Sequence, residues 1–288
     1  MKRIFILALG IILVFSFSCS KDSTETPEQQ AEKYRLIRIA YDDSSMENYY
    51  TEKGQLRKTS TSDGSFREFI YDDNDKLVNV LDDFGEIELF YVGERLSQID
   101  YFYFSDHHEF VFEYNDQNLI IKLISENSTS NLKYDNKGRL LTKVRIEDDV
   151  ASPDYDSIIY KWRQDGNLLE KKRVQKYLYP VENGYDYRRY LVQENYEYDS
   201  HINPYSTIRL PDAYKLLRTI VYDFDESFST NNVVETRQTT KIEFDNNPNN
   251  NSYKTNTSLF NVTESENNLP KRIESEWFSF NLQYEKHE

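Results

Sequence analysis

Cysteine is all but missing from this chain of 288 residues, with Cys19 the only one. No disulfide can brace the fold, which must rest on packing and hydrogen-bonded backbone. Positive charge is short as well: 35 Lys and Arg stand against 50 Asp and Glu, a net charge of −15. That balance excludes nucleic acid and anionic membrane as partners, since both demand basic patches. A nucleophile elbow, a phosphate loop, a dinucleotide fingerprint and a zinc-protease motif are all lacking. The sequence therefore names no reaction and no cofactor. Only one long apolar run occurs, Ile4 to Phe17, and it falls short of the ~20 residues that span a bilayer.

What is present begins with that run. Met1-Lys2-Arg3, about 15 apolar residues and small residues at a cut form a secretory leader over residues 1–18. Ser16-Phe17-Ser18-Cys19 resembles the end of a bacterial lipoprotein leader. Phe17 stands where those leaders carry a small residue. The resemblance implies that the Cys19 thiol takes the lipid and becomes the first mature residue. Residues 19–32 have no apolar periodicity and read as an acidic flexible tether. Lys21-Asp22 with Glu25 resembles a surface-export tether, so the expected location is the outer membrane, lipid-anchored and facing outward.

A mean hydropathy of −0.79 suits a disordered chain. However, disordered chains are poor in aromatics, and this one holds 24 Tyr and 17 Phe. It is expected to fold.

An internal repeat of about twenty residues dominates residues 33–288. Its clearest copy is Tyr134-Asp135-Asn136-Lys137-Gly138-Arg139-Leu140, and others start at Tyr50, Tyr71, Tyr91, Tyr114 and Tyr160. Four places after the tyrosine stand Gly54, Asp75, Asn118 and Gly138, residues that tolerate a left-handed backbone. That position closes a hairpin built on a type I turn. Apolar residues alternate on both sides of each turn, the pattern of a half-buried antiparallel strand. Second turns are expected at Asp63-Gly64, Phe84-Gly85, Ser105-Asp106, Glu126-Asn127 and Asn183-Gly184. Each copy is one hairpin, which predicts an all-β, up-and-down antiparallel sheet of roughly sixteen strands in a single domain.

The rhythm breaks over residues 201–232. Asp212 is placed to cap a short helix carrying Leu216, Leu217 and Ile220 on one side, with a strand as the competing reading. This excursion is expected to plug or cap one end of the curled sheet. Closure into a barrel is favoured because sixteen open strands would leave long edges. The polar faces holding Glu109, Glu113, Lys143, Arg145, Lys161 and Arg163 lack the outward apolar band of a membrane-spanning barrel. A soluble barrel is therefore expected.

Tyr134-Asp135-x-x-Gly138 resembles the YD repeat of Rhs and teneurin proteins. The wider layout resembles Bacteroidota-type lipoproteins carrying a domain described as porin-like in fold. The shared features are the acidic tether, the hairpins, the Asn203-Pro204 loop, the Asn231-Asn232-Val233-Val234 strand start and the Glu264–Ile273 turn. The resemblance implies a porin-like barrel and supplies no catalytic residues.

Three functions stay open: a non-enzymatic scaffold or interaction module, a glycan-binding lipoprotein of a nutrient-uptake system, and a carboxylate-based glycoside hydrolase. Trp162 and Trp277 are the largest platforms for stacking on sugar rings, against tyrosines that form structural cross-strand ladders. His107-His108 is the only histidine cluster. It is expected at a turn, and no metal is expected there, because strand neighbours point to opposite faces. Asp72-Asp73-Asn74-Asp75 lacks the glycine and distal glutamate of a calcium loop and reads as a turn. Beyond the lipid anchor, the expected partners are a glycan or a surface protein, and the chain is expected to be a monomer.

Overall fold

The computed structural model describes residues 32–41, 43–147, 155–181, 184–208, 211–220, 229–244, 248–276 and 278–287. Cys19 and Trp277 lie outside them. Eighteen strands are described. The first nine are β1 Tyr34–Tyr41, β2 Ser45–Tyr50, β3 Leu56–Thr61, β4 Phe66–Tyr71, β5 Leu77–Asp82, β6 Gly85–Val92, β7 Arg95–Tyr103, β8 Asp106–Tyr114 and β9 Ile120–Ser125. Then come β10 Ser128–Tyr134, β11 Leu140–Glu147, β12 Tyr155–Trp162, β13 Leu168–Val181, β14 Gly184–Ile202, β15 Asn231–Phe244, β16 Ser252–Glu266, β17 Leu269–Ser275 and β18 Ser279–Lys286.

Every strand pairs antiparallel with its neighbours in sequence, and β18 returns to pair with β1 from Tyr34↔Lys286 to Tyr41↔Phe280. The sheet is a closed up-and-down barrel. Eighteen strands stand where roughly sixteen were expected. Two of them, β1 and β14, carry no copy of the motif.

The repeat's chemistry is visible in its turns. Asp135 Oδ1 accepts from the N–H groups of Lys137 and Arg139, both at 2.9 Å. Asp72 Oδ1 does the same for Asn74 and Lys76, and Asn115 Oδ1 for Gln117 and Leu119. Gly138 has φ 77°, Asp75 63° and Asn118 64°, the left-handed position the sequence reserves for them. These bonds hold the turn carboxyls low. The Lys76 N–H is the main cause at Asp72, and the Arg139 N–H at Asp135.

Each such turn is followed by a bulge, as between Lys133 and Tyr134 against β11. The extra residue shifts the side-chain phase by one. Inward positions after the turn therefore run i, i+3: Leu77 then Val80, Leu96 then Ile99, Ile120 then Leu123, all buried.

The recurrent tyrosine is explained by its hydroxyl. Tyr50 donates to the Leu36 carbonyl at 2.7 Å and Tyr71 to that of Leu56 at 2.6 Å. Tyr91 donates to Leu77 at 2.7 Å, Tyr114 to Leu96 at 2.6 Å and Tyr198 to Leu168 at 2.8 Å. Each ring fills the wall while its hydroxyl satisfies a backbone carbonyl of an earlier strand, a task phenylalanine cannot perform.

The excursion enters the barrel. A 3-10 turn, Pro204–Thr207, leads to helix α1, Asp212–Ile220. Tyr214 and Leu217 are 4% and 1% exposed. The Tyr214 ring meets Phe69 of β4 edge-on at 5.0 Å, and its hydroxyl accepts from Arg67 Nη1 at 2.6 Å. Arg67 is held in turn by Asp82 Oδ2 at 2.7 Å.

Two expectations are corrected. Lys143 does not lie on the outer polar face: it is 6% exposed and sits in register between Leu132 and Ile158, both buried. Arg145 shares that inward phase, opposite Ser130 and Asp156. Both follow from the bulge after Leu140. His107 and His108 are not in a turn but on β8, because the turn is Phe104-Ser105, with Phe104 at φ 52°.

Candidate functional site

The inner faces of β1 and β13–β18, with the Asn203–Tyr205 segment, enclose a chamber of about 430 Å³. Its floor is apolar and buried: Ile39, Leu168, Ile273 and Leu282. Its exposed side carries Tyr41 and Phe278, at 42% and 44% exposure. Phe280 links the two rings, 6.0 Å from Tyr41 and 5.8 Å from Phe278, nearly parallel to the latter at 25°. Phe260 closes the wall 6.3 Å from Phe278.

A polar corner faces these rings. Lys171 and Glu194 are register partners across β13 and β14. Tyr196 donates its hydroxyl to Glu194 Oε2 at 3.0 Å, and Gln238 Nε2 donates to Oε1 at 2.9 Å. The carboxylate is thus fixed by two neutral donors and keeps acceptor capacity for a ligand.

Lys171 was not legible as a site residue, although a signal existed. It stands three places after the turn leucine Leu168, where other copies have Val80, Ile99 and Leu123. The bulge turns that position inward.

The segment that closes the chamber is stitched to the Leu168 turn. Asn203 Nδ2 donates to the Ser229 carbonyl at 2.8 Å, and Asn203 Oδ1 accepts from the Tyr205 N–H at 3.0 Å. Ser229 Oγ lies 2.7 Å from the Tyr198 hydroxyl and 3.3 Å from the Leu168 N–H. Asn167 and Asn231 exchange two bonds, at 3.0 and 3.1 Å. Burial pushes the Tyr198 phenol up to about 12.

Trp162 stands elsewhere, in a tyrosine's place on the ladder. Its Nε1 donates to the Leu140 carbonyl at 2.8 Å, and the Arg139 guanidinium covers its ring at 5.5 Å. It does not line the chamber. His107 stacks on Phe102 at 4.7 Å and His108 packs against Tyr101 at 6.3 Å, on opposite faces of the wall. Among the described residues no group of three His, Cys, Asp or Glu side chains is placed to hold a metal. No helix among them is long and apolar enough to cross a membrane.

No family model matches this chain, and no curated protein matches it. Among solved structures, a porin-like protein from Bacteroides uniformis aligns with 88% of this chain and 96% of its own, at 11% identity and TM-score 0.40. A porin-like protein from Bacteroides vulgatus aligns with 86% of this chain and 98% of its own, at 11% identity and TM-score 0.35. The TcdB2-TccC3-TEV crystal structure aligns with 81% of this chain at 12% identity and TM-score 0.29, and this chain spans 14% of its length.

Proposed function

We propose that the protein is a non-enzymatic surface lipoprotein, anchored to the outer membrane through Cys19, whose barrel acts as an interaction module with the chamber as its binding site. The chamber carries this reading. At about 430 Å³ it has the size of a small-ligand site, with an apolar floor and few polar groups. Glu194 is the one carboxylate among its described lining residues, whereas two-carboxylate hydrolysis needs a facing pair. The burial of Tyr214 and Leu217 of α1, with Tyr214 against Phe69 of β4, favours a ligand held over one passed through.

The chemistry of the chamber favours a glycan. Tyr41, Phe278 and Phe280 offer ring faces to the apolar side of a sugar, while Glu194, Lys171 and Asn232 can meet its hydroxyls. The outer wall supports a body that stands in water. It carries cross-strand ion pairs such as Glu113–Lys122 at 3.3 Å and Glu170–Lys161 at 2.6 Å, which interrupt its exposed apolar side chains such as Ile70, Phe90 and Ile121.

Calorimetry against a panel of short glycans tests the site. Thr236→Trp, which fills the chamber, is expected to abolish binding, and Lys171→Met to weaken it about tenfold, the loss of one charge-assisted hydrogen bond. Binding that survives Thr236→Trp, or no binding across the panel, ends the glycan reading. Cys19→Ser is expected to move the protein out of the membrane fraction, and retention there would refute the anchor.

A further inference from the structure

The barrel closes on itself, yet two stretches of strand stand outside the closure, β13 beyond Lys176 and the longer one at the start of β16. β16 pairs with β15 over Ser252–Leu259, but with β17 only from Phe260 onward. All eight residues from Ser252 to Leu259 are exposed. This includes those in phase with the lumen, such as Lys254 and Asn256, and those in phase with the outer wall, such as Tyr253 and Thr255. Among the described residues, then, one edge of β16 has no neighbour over ~27 Å of strand.

Such an edge offers a row of N–H and C=O groups to any strand that approaches. Natural edges are blunted by proline, by bulges or by several charges. Here there is no proline, the register against β15 is regular, and Lys254 is the only charge. Tyr253, Thr255 and Thr257 are residue types that favour extended backbone.

We propose that this edge pairs antiparallel with the same edge of a second copy, giving a two-fold dimer. A foreign peptide added to a sheet is read through pockets that take its alternate side chains. With all eight residues exposed, this edge has none. Self-pairing needs no pockets, because the two-fold axis sets the register and stops the assembly at two. Centred on Asn256, the pairing sets Thr255 opposite Thr257, Lys254 opposite Ser258 and Tyr253 opposite Leu259. No like charges meet. The run from Asn251 to Thr263 has no acidic residue in a chain with 50, so two strongly acidic molecules can approach here. This replaces the expected monomer.

The chain from Ser20 onward retains every strand and has no cysteine. Sedimentation across micromolar concentrations is expected to show a dimer. Thr255→Lys with Thr257→Lys sets ammonium groups directly opposite one another across the axis and should weaken the dimer about tenfold, with circular dichroism unchanged. Asn256→Cys is expected to form a disulfide-linked dimer under mild oxidation, while Asn281→Cys on the exposed face of β18 is not. A monomer at every concentration, or a dimer that the double lysine variant leaves intact, overturns the proposal.

Discussion

Above about pH 10 the protein is expected to unfold cooperatively rather than titrate tyrosine by tyrosine. The phenols that build the barrel wall resist ionisation, chiefly because burial penalises the charged form. Tyr91 and Tyr134 are pushed up to about 12, as is Tyr198, while Tyr71, Tyr114 and Tyr284 are also raised. In the unfolded chain each phenol ionises near 10.0. A folded-state value above the unfolded one means that the stabilisation is complete below pH 10 and is lost as pH rises through about 12. Several groups share that window, so their losses sum.

Tyrosinate absorbance and far-ultraviolet circular dichroism, followed against pH, should therefore change together between pH 10 and 12. Exposed Tyr253, held low mainly by the Thr255 hydroxyl, should ionise ahead of the transition. Tyr71→Phe gives a second readout. Without its hydroxyl the Leu56 carbonyl loses a donor, costing about 1–2 kcal/mol at neutral pH, while one fewer group ionises on unfolding, so the alkaline slope should flatten. Full ionisation of the tyrosines with the β signal intact would contradict the ladder.

How the sequence foretold some features and hid others follows from which atoms do the work. Gly138, Asp75 and Asn118 were legible because a left-handed backbone limits the side chain, and a side chain is what a sequence records. Asp72 and Asp135 were legible in the same way, as turn formers. The ladder's acceptors were not. Leu36, Leu56, Leu77 and Leu96 contribute carbonyls, which every residue has, so the reason for tyrosine over phenylalanine appears only with the coordinates. Lys143 and Lys171 were hidden by the bulge. Strict alternation from Leu140 or Leu168 points them outward, and one extra residue turns them in. The chamber depended on that inversion and on a segment, Asn203–Tyr205, whose neighbours across the barrel are far away in the chain.

Gly85→Ala is expected to be the most damaging single-methyl addition among Gly64, Gly85, Gly93, Gly138 and Gly166. Gly85 opens β6 and pairs on one side with Asp82 and on the other with Tyr103. The turn before it is clamped, since Asp82 Oδ1 accepts from the N–H groups of both Phe84 and Gly85 at 3.0 Å. A Cβ on Gly85 would fall inside the carbonyl oxygen of Phe102, with the Tyr103 Cα a further 3.2 Å neighbour. These are backbone atoms in a paired strand and cannot swing aside. Either β6 and β7 part at this end or the Asp82 clamp opens, at about 3 kcal/mol or more. Gly64 is the control. It lies at the tip of the β3–β4 hairpin with φ 96°, and a methyl added there would meet nothing within 4 Å. Gly64→Ala therefore costs only its backbone strain, about 1 kcal/mol. Denaturant midpoints of the two variants separate close approach from backbone strain. Equal midpoints would mean that the β6–β7 contact yields, and that the rim at this turn is not rigid.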